Sequence, residues 1–105
     1  MESFGEDPQH LAALGTAYIR GLQEGLPANA SAAARALKVM AIPKHLGVYS
    51  LECYDPANGG PYPNCKPYRN TFNAVVDEMD LRESYLPAWK AAVISARAQG
   101  VMCSA

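Results

Sequence analysis

No run of basic residues, no acidic tract and no long apolar stretch occurs in these 105 residues. Nine lysines and arginines stand against ten acidic residues, for a formal net charge of −1. Such a balance creates no field that would gather phosphates or anionic lipid, so neither nucleic acid nor a membrane surface is an expected partner. A helical span would need roughly 18 or more consecutive apolar residues, and none is present. The opening MESFGEDPQH also lacks the basic and apolar regions of a secretory signal. Any export signal is expected outside this chain. Cysteine is sparse and odd in number: Cys53, Cys65 and Cys103, without the close CxxC spacing of a zinc or redox site. No metal and no cofactor is expected. Cys53 and Cys65 bracket a loop rich in proline and glycine and could pair in an oxidising compartment, whereas Cys103 lies in an apolar run and is expected to be buried. Asn29-Ala30-Ser31 matches a glycosylation sequon, a short motif that often arises by chance.

What the chain does have is regular punctuation. Asp7-Pro8 reads as an N-cap followed by proline at the first helical position, where the fixed φ suits the helix and the missing N–H costs nothing. Leu11, Leu14, Tyr18 and Leu22 follow at spacings of three and four, predicting a helix with those residues inward and a stop at Gly25 and Pro27. The alanine-rich PANASAAARA, residues 27–36, reads as a surface connection. LKVMAI, residues 37–42, predicts a buried strand, which Pro43 ends because it cannot donate to a ladder. From Ser50 to Thr71, proline, glycine, asparagine and tyrosine predict a long loop. A short turn around Asp80–Glu83 should precede a helix starting near Pro87, with Tyr85, Trp89, Val93 and Ala96 inward and Gly100 at its end. VMCS, residues 101–104, predicts a second strand.

The resulting order, α-β-α-β, favours parallel βα units over a bundle or an antiparallel sheet. Two such units are incomplete: a two-stranded parallel sheet exposes both edges, and a closed βα barrel takes roughly 200 residues or more. The fold class expected for residues 1–105 is therefore α/β, either a slice of a larger barrel or a piece that assembles with something else, and dependent on missing segments or self-association for stability. In a βα barrel the active site lies at the C-terminal ends of the strands. Lys44 and His45 stand at such an end, and an ammonium with an imidazole can hold adjacent hydroxyls of a sugar. Spacing alone equally allows the polar start of a surface loop.

Five stretches settle between these readings when taken together. ESFGEDP, the helix with YIRGLQ, LKVMAIPKHLGVYSLE, RNTFNAVVDEMDLRESYLPAWKAAV and VMCS resemble, in order, the N-terminal (β/α)8 barrel domain of glycoside hydrolase family 3, most of all its plant and fungal β-xylosidase branch. The resemblance implies retaining hydrolysis of a β-linked xyloside or glucoside, secretion or a cell-wall location, and a sugar-binding role for Lys44 and His45. Arg69 resembles a family arginine on a loop over the site, with a plain surface arginine as the other reading. The bacterial N-acetylglucosaminidase branch is disfavoured, because the pair continues here as Leu46-Gly47-Val48-Tyr49 rather than Phe-Pro-Gly-His-Gly. The family's tyrosine after Met-Cys-Ser and its arginine before Glu-Ser have no counterpart, since Ala105 and Met1 occupy those places.

Retaining glycosidases use two carboxyl groups about 5–5.5 Å apart, and the resemblance assigns both to segments outside this chain. No catalytic residue is expected within it. Glu6 and Asp7 read as helix-start residues, as do Asp77, Glu78, Asp80 and Glu83, because acids are favoured where a helix presents orphan amides. His10 should face solvent, and Tyr85 with Trp89 should be core rather than a sugar platform. Two functional expectations follow: an inactive part of a β-glycosidase, or a non-catalytic remnant that binds carbohydrate or protein.

Overall fold

A computed structural model describes residues 3–24, 37–53 and 66–104. Helix α1 runs Pro8–Glu24 and starts as its sequence dictates: the Asp7 carboxylate accepts the His10 N–H at 2.8 Å, and the Asp7 carbonyl accepts from the Leu11 N–H. The side it buries is not the expected one. Ile19 and Gln23 are its buried residues, while Leu14, Tyr18 and Leu22 remain 40–58% exposed. A helix facing one neighbour can bury only one side. Here that side packs on Ala92 and Ala96, with Ala41 completing the cluster and Ala98 against it.

The first strand is also displaced. Strand β1 is Lys44–Leu46, so the Lys-His pair lies within the strand, and residues 37–42 form no ladder. The reason lies in their backbone donors. The Lys38 N–H donates to the Gln23 carbonyl, and the Ala41 N–H donates to Gln23 Oε1 at 3.2 Å, so the apolar run is held to the end of α1. Pro43, which lacks an N–H, contributes its carbonyl to the sheet by accepting from Met102.

The second helical segment, α2, covers residues 78–95 and begins well before Pro87. Asp77 caps it by accepting the Asp80 N–H at 2.8 Å, and Arg82 pairs with Glu78 one turn along. Its winding alternates: Glu78–Asp80 and Leu86–Lys90 are α-helical, Leu81–Tyr85 and Ala91–Ser95 are π-helical. The first widened turn immediately precedes Pro87, whose ring would otherwise crowd the carbonyl four residues earlier. Gly100 does not end the helix. Arg97, at φ 55°, does so, with the Ala98 N–H returning to the Ala92 carbonyl at 2.9 Å. Ala96 is fully buried, Tyr85 and Trp89 are half-buried and Val93 is exposed.

Strand β2, Met102–Cys103, pairs parallel to β1 with Lys44 opposite Met102 and Leu46 opposite Cys103, and with an irregularity between the two pairs. Cys103 is a free, exposed cysteine, contrary to the buried position expected for it, because so short a sheet leaves its faces uncovered. Cys53 is buried and disulfide-bonded. Cys65, the sequon at Asn29 and the linker at 27–36 lie outside the described residues.

Candidate functional site

Strand β1 leads directly to the site. At its end Gly47 adopts φ 124°, a conformation that side chains rarely tolerate. A Cβ there would meet Ser104 Oγ at 2.9 Å. Ser104 in turn locks the end of the sheet, its N–H and Oγ both donating to the Leu46 carbonyl at 3.1 and 3.2 Å. Beyond Gly47, Tyr49 is placed so that its ring meets that of His45, centroid to centroid 5.1 Å and tilted by 47°.

Arg69 reaches the same place from a distant part of the chain; most of the loop expected between Ser50 and Thr71 lies outside the described residues. Its backbone N–H donates to the Cys53 carbonyl at 2.6 Å, and the next turn is closed by the Thr71 N–H and hydroxyl on the Tyr68 carbonyl. The guanidinium lies over the Tyr49 ring, 5.2 Å from its centroid, within the range of a cation–π contact. Glu52 stands 3.9 Å from Arg69 Nη1, at the outer limit of an ion pair. With the Glu52 side chain 56% exposed, that pair contributes at most about 1 kcal/mol.

Val48, Tyr49, Arg69, Phe72, Ala74 and Ser104 line an open cleft of about 270 Å³. Arg69 is therefore in the cleft wall. His45 adjoins the wall through Tyr49, and Lys44, exposed on β1, is not among the lining residues. The structure thus brings His45 and Arg69 against one tyrosine, a residue to which sequence reasoning gave no role of its own. Aromatic residues near a strand end are too common to signal such a part.

Among the described residues no group of three or more His, Cys, Asp and Glu is placed to hold a metal ion, and no helix is long and apolar enough to cross a membrane. Of the acidic residues near the helix starts, Asp7 and Asp77 are caps and Glu78 pairs with Arg82. What the arrangement offers chemically is hydrogen-bond donors and aromatic surface beside a cleft.

By sequence the chain has a glycoside hydrolase relation. It is 38% identical over 104 residues to the probable exo-1,4-beta-xylosidase bxlB of Aspergillus fumigatus, 34% identical over 103 residues to beta-D-xylosidase 3 of Arabidopsis thaliana, and 33% identical over 103 residues to beta-xylosidase/alpha-L-arabinofuranosidase 2 of Medicago sativa subsp. varia. Each match takes in 98% of this chain but only 11–12% of the relative's length. No family model matches the chain, and no solved structure matches it.

Proposed function

We propose that this chain is a segment of a family 3 glycoside hydrolase barrel, of β-xylosidase or β-glucosidase type, and that it supplies part of the sugar-binding subsite through Lys44, His45 and Arg69. In this reading the retaining mechanism's nucleophilic aspartate and acid/base glutamate belong to other segments of the parent enzyme. The chain binds and orients while those carboxylates cleave. The observation that carries the reading is identity of about one third to proteins named xylosidases along 98% of the chain. The parallel β-α-β arrangement of β1, α2 and β2 is compatible with it, as is the position of His45 and Arg69 beside a cleft at the end of β1. The Cys53 disulfide agrees with an oxidising, extracellular setting.

The test is complementation. Alone, the chain should leave aryl β-xylosides intact; added to a β-xylosidase lacking the corresponding segment, it should restore turnover. Lys44→Ala and His45→Ala should each then lower kcat/KM by about 10- to 150-fold, the equivalent of one charge-assisted hydrogen bond. Hydrolysis by the isolated chain would overturn this division of labour.

A further inference from the structure

We infer that Tyr49 is the positioning residue of this site: its ring holds the Arg69 guanidinium and the His45 imidazole in fixed places, and so presents two sugar-binding groups from distant parts of the chain as one surface. The inference rests on the sugar-subsite reading above, and adds to it a residue through which two of the three binding groups act. Arg69 and His45 are 24 positions apart in sequence and belong to different segments. Tyr49 is what both touch, Arg69 at 5.2 Å and His45 at 5.1 Å from the ring centroid. The Tyr49 hydroxyl is buried, and Tyr49 and Arg69 both line the cleft.

The geometry suits a positioning part. A guanidinium over an aromatic face is held by the ring's quadrupole. That contact consumes none of the five N–H donors, which lie in the guanidinium plane and point outward towards carboxylate or hydroxyl oxygens. Gly47 makes the arrangement possible, since its positive φ lets the chain carry Tyr49 over to His45.

The experiment compares the full chain with its Tyr49→Phe and Tyr49→Leu variants by two readouts. The first is the proton resonance of Arg69 Nε–H together with the ring protons of His45. Both should be displaced by the Tyr49 ring current in the parent chain and in Tyr49→Phe, and return to ordinary positions in Tyr49→Leu. The second is titration with xylose or xylobiose: Tyr49→Leu should bind about 3- to 30-fold more weakly, the range of one cation–π contact, and Tyr49→Phe should match the parent. Undisplaced resonances in the parent chain, or equal affinity of Tyr49→Leu and the parent, would overturn the inference. If the parent chain binds neither sugar, the sugar-subsite reading fails, while the resonances still decide whether Tyr49 orients Arg69 and His45.

Discussion

Gln23 makes three side-chain hydrogen bonds, all to backbone. Its Nε2 donates to the Ala96 and Arg97 carbonyls at 3.4 and 3.0 Å, and its Oε1 accepts the Ala41 N–H at 3.2 Å. At 1% exposure it replaces water for groups that would otherwise be buried without partners. Gln23→Leu should therefore lower stability by about 1–3 kcal/mol, despite the gain in apolar surface, and chemical denaturation will measure it. Gly47→Ala should cost a similar amount, about 1–3 kcal/mol, because strained φ and close approach to Ser104 act together. Adding Ser104→Ala to that variant relieves the crowding but also removes the bond from Ser104 Oγ to the Leu46 carbonyl, so the double variant should recover no more than part of the loss. Individual residues were unequally legible in the sequence. Lys44, His45 and Arg69 stood out through resemblance, whereas a glutamine on a helix looks like surface until the carbonyls it serves are known. Tyr49 was hidden for the same reason: its partners lie on other segments, and no local pattern announces them.

Elements were legible where their signals are local. Asp7-Pro8 and the three- and four-residue spacing located α1 almost to its last residue, because caps and helical periodicity act within a few positions. Asp77→Ala should likewise cost about 0.5–2 kcal/mol, the usual loss on removing a helix cap, visible as a lower midpoint of thermal unfolding. Where tertiary contacts decide, the reading failed. LKVMAI has strand composition, yet its amides bond to Gln23 and the ladder forms only after Pro43. The buried face of α1 is chosen by the alanines of α2, which permit close approach. Ala96→Val should overpack that contact and destabilise the chain by about 1–3 kcal/mol, whereas Val93→Ala, at an exposed position, should change stability little. The end of α2 was misplaced because side chains of α1 satisfy its last carbonyls: Arg20 donates through Nε and Nη2 to the Ser95 carbonyl at 3.2 and 2.7 Å, alongside Gln23.

For the molecule as a whole, the thinness of the core matters most. Among the described residues the buried apolar cluster consists of Ile19 and three alanines, while Leu14, Tyr18, Leu22, Met40, Ile42 and Ile94 are exposed. The exposed stripe of α1 is extended by Phe4, whose ring lies 5.7 Å from that of Tyr18. Such surface is characteristic of a face that another protein surface covers. Sedimentation of the isolated chain should accordingly show concentration-dependent association, and Leu14→Ser with Leu22→Ser should reduce it. Monomeric behaviour at high concentration would count against a covered stripe. Parallel pairing of strands separated by a helix was legible from the α-β-α-β order, since such a sequence of elements has few other solutions. How the apolar stripe is covered was not, because the order of elements says nothing about which face each one turns inward.

The bonds that fasten α1 also constrain when it can dock. Arg20 and Gln23 find their carbonyl partners at Ser95, Ala96 and Arg97, more than seventy residues downstream. A nascent chain released from the ribosome tunnel as far as residue 90 contains the helix but none of those acceptors. An unsupported helix of 17 residues is only marginally populated in water, so α1 is synthesised well before it can become secure. During that interval its apolar stripe is open to chaperones, and to the growing chains of neighbouring ribosomes.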